Sequence, residues 1–258
     1  MPYLEVAGDR LHYRTDGDAA HPCVVLSNSL GTDLSMWDAQ AAALATDHYV
    51  VRYDARGHGQ SPAGSAPVDL ARLGQDVIAL LDHLHIDRAA FCGISMGGMT
   101  GQWLGIHAPQ RFTQLVLANT AARIGSADGW LTRAAQVRQD GMAAIADGAA
   151  ARWFTPAFIE REPAIVAQLV DRLREQDAGG YAACCEALAH ADLRADVASI
   201  TAPCMIVAGL SDPVTTPADG AWLQQQIPGA KLTTLPASHI SNIEAGAAFS
   251  ALLRAYLE

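Results

Sequence analysis

The chain has 258 residues, 50% of them hydrophobic, and a formal net charge of −10. That length suits one large α/β domain with room for an inserted subdomain. The acidic balance argues against nucleic acid and anionic membranes as partners.

Residues 3–6 and 11–13 read as a short hairpin with Gly8-Asp9 at its turn. Residues 22–26 are a compact apolar run, read as a buried strand. Residues 36–45 have helical character, and 49–53 form the next strand. Gly and Pro content makes 54–62, Asp-Ala-Arg-Gly-His-Gly-Gln-Ser-Pro, a loop. Between 68 and 84, Leu70, Leu73, Val77, Leu80, Leu81 and Leu84 recur at the spacings of an amphipathic helix. Residues 89–110 carry no formal charge and are long enough to suggest a membrane span. Their glycines, with Ser95, Gln102 and Gln110, favour a buried strand and a helix over 96–107 instead. A strand at 114–118 follows.

From 123 to 191 the alternation stops. This segment is Ala-rich and helical in pattern, with no convincing strand, and reads as an insertion. Strands resume at 204–208 and 231–235, followed by helical stretches at 217–226 and 245–257. Alternating strands and helices imply a mostly parallel central sheet with helices on both faces. The expected division is a core of 1–122 and 192–258 with a helical cap of 123–191. The five cysteines, an odd count without C-x-x-C spacing, fit buried thiols in a reducing compartment. Residues 1–5 do not read as a signal peptide, so the expected location is cytoplasmic.

The chemistry centres on Gly93-Ile94-Ser95-Met96-Gly97, which directly follows a strand and opens a helix. That is the context of a nucleophile elbow. Two glycines allow a turn too sharp for side chains, which would hold Ser95 at its tip. A serine hydroxyl needs a base within reach, and the base needs an orienting carboxylate. In an open parallel sheet such groups gather beyond the carboxyl ends of the strands. Asp212 follows the strand at 204–208 by a short loop. The rival loop, 119–122, reads Asn-Thr-Ala-Ala and offers no carboxylate. His239 is the only histidine after Asp212, and the order Ser, Asp, His suits this architecture. Leu30 N–H and Met96 N–H are the expected oxyanion donors, Leu30 from the loop after the strand at 22–26. His83-x-His85 lacks further ligands at metal-site spacing. Gly57-x-Gly59 is no dinucleotide fingerprint, because Pro62 stands where the final glycine belongs.

These residues resemble the α/β-hydrolase family over essentially the whole chain. Where many such hydrolases carry His-Gly in the oxyanion loop, this chain has Asn28-Ser29. The run from Ser27 to Trp37 resembles the 3-oxoadipate enol-lactonases of the β-ketoadipate pathway. So do Asn119-Thr120-Ala121-Ala122-Arg123-Ile124-Gly125, Arg152-Trp153-Phe154-Thr155 and Ser238-His239-Ile240-Ser241-Asn242-Ile243-Glu244. The resemblance implies a serine hydrolase without metal or organic cofactor, acting on a small anionic lactone. An anion entering an acidic protein needs local positive charge, available from Arg123, Arg133, Arg138 and Arg152; Arg133 is the choice for the substrate carboxylate. Trp130 and Trp153 would wall an apolar pocket around the ring. Competing readings on the same residues are a general carboxylesterase, a perhydrolase-type haloperoxidase, or a receptor that retains the triad.

Overall fold

The structure, a computed structural model, describes residues 2–6, 9–64 and 67–258. Its strands are β1 (Tyr3–Val6), β2 (Asp9–Asp16), β3 (Cys23–Ser27), β4 (Tyr49–Tyr53), β5 (Ala89–Ile94), β6 (Phe112–Ala118), β7 (Cys204–Gly209) and β8 (Lys231–Leu235). They form one sheet in the order β1-β2-β4-β3-β5-β6-β7-β8. β1 and β2 pair antiparallel, as do β2 and β4; every later pairing is parallel.

The helices are α1 (Asp38–Leu44), α2 (Leu70–His83), α3 (Met96–His107), α4 (Ala127–Asp140), α5 (Ala143–Asp147), α6 (Ala149–Trp153), α7 (Pro156–Arg161), α8 (Pro163–Arg174), α9 (Ala178–His190), α10 (Pro217–Gln226), α11 (Ser241–Glu244) and α12 (Gly246–Leu257). α4 to α9 all lie between β6 and β7 in the chain. None of the described helices is long and apolar enough to cross a membrane. The uncharged stretch that invited that reading is β5 and α3, both largely buried.

Burial explains the pattern. Every residue of β3 and β5 is buried, so these central strands are nearly continuous apolar runs. α2 buries Leu70, Leu73, Val77, Leu80 and Leu81 and opens on Asp69, whose carboxylate accepts the Arg72 N–H. Three expectations shift. The first turn of the helix over 36–45 is a 3-10 turn at Leu34–Trp37, started by Asp33, which accepts the Ser35 N–H. β2 runs on to Asp16 because Arg14, Thr15 and Asp16 pair with β4, although their polarity hides the strand. Asp9, placed in a turn by the sequence, pairs with Val6 within β2; Gly8 lies outside the described residues.

Loop 54–62 is fastened by buried charge. Arg56 grips Asp76 of α2 through Nε and Nη2 at 2.6 and 2.8 Å and reaches Asp9 at 2.7 Å. Asp54 accepts from the Leu34 and Gln60 N–H groups and pairs with His12. Removing one partner of such a pair strands a charge in a dry interior. Asp76→Ala should lower stability by about 3 kcal/mol in urea denaturation. An unchanged midpoint would mean that Asp9 alone satisfies Arg56.

Candidate active site

Ser95 sits between β5 and α3 with φ 58° and ψ −113°, a left-handed backbone rare for a residue with a side chain. The turn is this tight because neighbouring backbones cross closely. A Cβ on Gly93 would stand 2.2 Å from the Gly97 carbonyl oxygen, and one on Gly97 2.4 Å from that of Ser27. The strained turn is pinned on both sides. Ser95 N–H donates to Ala118 O at 3.0 Å, and Ser95 O accepts from Thr120 Oγ1 at 2.8 Å.

Across from it, His239 Nδ1 lies 2.8 Å from Asp212 Oδ2. The carboxylate only accepts, so Nδ1 carries the hydrogen of this bond. Asp212 Oδ1 also accepts the Val214 and Thr215 N–H groups, and Oδ2 the Asn119 amide and the Thr215 hydroxyl. Burial works to raise the Asp212 pKa. The hydrogen bonds, that from His239 first, outweigh burial and hold it below the ordinary 3.8. Ser95 and His239 line the same cavity, of about 400 Å³.

The loop after β3 is tied to the start of α3, with Gly97 N–H donating to Asn28 O at 3.1 Å. Asn28 Nδ2 in turn donates to Tyr53 O at 2.8 Å. The N–H groups of Leu30 and Met96 meet no acceptor among the described residues, and Leu30 lines the cavity beside Ser95. Gly31 N–H donates to His58 Nε2 at 2.8 Å, while His58 Nδ1–H donates to Arg56 O at 3.1 Å. Those contacts set the His58 tautomer, and burial lowers its pKa, keeping it neutral.

The helices between β6 and β7 also contribute to the cavity lining. Trp130 and Trp153 both line the cavity. Trp130 is held by its Nε1–H on Ile124 O at 2.6 Å. The Arg133 guanidinium lies 4.9 Å above the Trp130 ring, and Arg152 Nη2 donates to Ile145 O at 2.6 Å. The four candidate arginines divide. Arg123 pairs with Asp192 and Arg138 with Glu186. Arg133 and Arg152 line the cavity and have no carboxylate partner among the described residues. Burial, and then the charge of Arg133, lower the Arg152 pKa. Tyr181 lines the same wall, its phenol pushed up to about 12 by burial.

Sequence reasoning passed over several of these residues. Asn119 stood in the loop searched for a carboxylate, and what it provides is an amide. Thr215, three residues after Asp212, had a local signal, since Asp and Thr close turns at that spacing. His58 and Tyr181 had none: each reaches the site through a contact distant in sequence.

The sequence model of the family described as serine aminopeptidase, S33, matches residues 18–237. The chain belongs to the α/β-hydrolase family. This hydrolase is 52% identical to 3-oxoadipate enol-lactonase 2 of Acinetobacter baylyi, over 96% of this chain and 93% of that protein. It is 45% identical to 3-oxoadipate enol-lactonase 1 of the same organism, over 92% and 89%. The crystal structure of the enol-lactonase from Burkholderia xenovorans superposes with a TM-score of 0.97 at 48% identity, covering 99% of both chains. Similarity of this degree over nearly the whole chain makes the hydrolase an ester hydrolase.

The Asp212 carboxylate has a stability consequence. Its folded pKa lies below the unfolded value, so its ionisation stabilises the fold above that unfolded value. The contribution is lost as pH falls through the folded pKa. The stability difference between wild type and Asp212→Asn should therefore narrow below about pH 4, measured by urea denaturation across pH. A difference that stays constant on acidification would contradict it.

Proposed function

We propose that this hydrolase opens 3-oxoadipate enol-lactone to 3-oxoadipate in the β-ketoadipate pathway of aromatic catabolism. The observation that carries the reading is one cavity lined both by Ser95 and His239 and by two guanidiniums without carboxylate partners among the described residues. A small lactone with a carboxylate side chain spans those two chemistries. The names of the two curated relatives and of the Burkholderia structure support the same substrate. The helices over 123–191 act as a cap on the core of 1–122 and 192–258, contributing Trp130, Trp153 and both arginines. Five free, buried cysteines support a reducing, cytoplasmic setting.

Ser95 Oγ attacks the ring carbonyl as His239 Nε2 takes its proton. Asp212 holds the imidazole tautomer and stabilises the imidazolium. The tetrahedral oxyanion is held by the N–H groups of Leu30 and Met96. Collapse breaks the ring C–O bond and expels an enolate, a better leaving group than an alkoxide. His239 returns the proton to that oxygen, and the enol tautomerises to the ketone. Water, deprotonated by His239, then attacks the acyl-enzyme, and Ser95 leaves with the proton. Arg133 and Arg152 neutralise the side-chain carboxylate; Arg152 also holds Ile145 O, and Arg133 also meets the Trp130 ring and the Tyr181 phenol.

Ultraviolet absorbance of the enol-lactone tests this directly. Wild type should turn it over rapidly, and Ser95→Ala should lose about 10⁴–10⁶ in rate. Arg133→Ala should lower kcat/KM by about 10–100-fold, chiefly through KM, the loss expected for a charge-assisted contact. Aryl-ester cleavage without lactone turnover would mean a general carboxylesterase. Inactivity on both would favour the receptor reading.

A further inference from the structure

Two segments that carry the family resemblance, 152–155 and 238–244, meet at a single carboxylate. Glu244, at the end of α11, accepts the Ser238 N–H on Oε2 at 2.8 Å. Its Oε1 accepts the Thr155 hydroxyl, and both oxygens share the Thr155 N–H at 3.3 Å. Thr155 caps α7, its oxygen accepting the Phe158 N–H. Beside this bridge, Ile240 N–H donates to Trp153 O at 3.1 Å. His239 lies between Ser238 and Ile240: the Ile240 N–H ties the chain directly to Trp153, the Ser238 N–H ties it through Glu244 to Thr155, and Ser238 O accepts from Asn119 Nδ2 of the core at 3.0 Å. Trp153, which lines the cavity, is tied into the same junction.

We propose that Glu244 is a positioning residue for His239. It locks the histidine loop to the cavity wall, so that the base and the surface the substrate rests on are placed as one unit. β8 ends at Leu235; past it the core bonds the loop through the Ser211 N–H on Ala237 O and Asn119 Nδ2 on Ser238 O, and Glu244 adds the connection to Thr155 that these core contacts do not make. Every group meeting Glu244 in these contacts is a donor, so the site needs an acceptor-only side chain. A glutamine would turn its NH₂ against one of those donors. Glu244 itself lines no part of the cavity. The inference rests on Ser95 and His239 being nucleophile and base, and not on the identity of the lactone.

The experiment compares wild type, Glu244→Gln, Thr155→Val, Thr155→Ser and the Glu244→Gln/Thr155→Val double variant. The probe is a fluorophosphonate: the Ser95 Oγ–P bond forms, the P–F bond breaks, fluoride leaves and His239 takes the hydroxyl proton. Enol-lactone kcat, KM and Tm are measured alongside. Glu244→Gln should slow phosphonylation about tenfold, the scale expected for a small misplacement of a catalytic group. Thr155→Val should slow it too, Thr155→Ser should restore it, and the double variant should be no slower than Glu244→Gln. A Glu244→Gln rate within about twofold of wild type, whatever its Tm, would overturn the proposal; so would losses that multiply in the double variant. If Glu244→Gln does not fold, a wild-type rate in Thr155→Val overturns it. Wild type that phosphonylates but leaves the enol-lactone intact would sink the substrate reading, with this proposal still decided by the phosphonylation rates. Wild type that does not phosphonylate would overturn both.

Discussion

The arrangement depends on how closely β3 approaches the start of α3. Gly97 lies so near the Ser27 carbonyl that a methyl group could not fit between them. The same contact lets Gly97 N–H reach Asn28 O. It therefore holds together the serine turn and the loop that carries Leu30. Ser95 pays with an unfavourable backbone conformation, of order 1–3 kcal/mol for a strained residue. Its N–H donating to Ala118 O of β6 and its carbonyl accepting from Thr120 Oγ1 in the loop after β6 keep the strain in place. A less constrained crossing would relax Ser95 and separate it from Leu30.

Charge is distributed unevenly around that constraint. The chain is strongly acidic overall, yet its cavity presents Arg133 and Arg152 without acidic partners among the described residues. Two neighbouring guanidiniums repel each other, and burial adds to the cost, as the lowered Arg152 pKa reflects. An anion placed between them would offset their repulsion. Asp212, behind the cavity-lining His239, shows the reverse balance. Its hydrogen-bond donors more than offset its burial and favour the ionised carboxylate beside the His239 imidazole.

The helices between β6 and β7 line the cavity and also contact the loops after β3 and β8. Gly31 packs where a Cβ would strike Leu173, with Tyr181 and Trp153 close behind. His58 meets the Gly31 N–H from the other side. Glu244 and the Ile240 N–H join the histidine loop to Thr155 and Trp153. The Leu30 loop and the His239 loop are thus each braced by helices that lie between β6 and β7.

Family, fold and the order of strands and helices were legible in the chain, because periodicity and turn chemistry are local. Gly93-x-Ser95-x-Gly97 marks its own turn, and Asp212 and His239 stand out as the acid and histidine that follow the right strands. Polarity concealed the end of β2, since Arg14, Thr15 and Asp16 are strand residues only by virtue of pairing with β4. Which arginines face the cavity could not be read from helical spacing, because Arg123 and Arg138 are withdrawn by acids far along the chain, Asp192 and Glu186. Asn119, His58, Tyr181 and Glu244 are likewise defined by partners distant in sequence. Residue type and local order sufficed to nominate Ser95, Asp212 and His239 as candidates. Their support, their electrostatics and the shape of the cavity arise from contacts between remote segments, which exist only once the sheet has assembled and the insertion has closed against it.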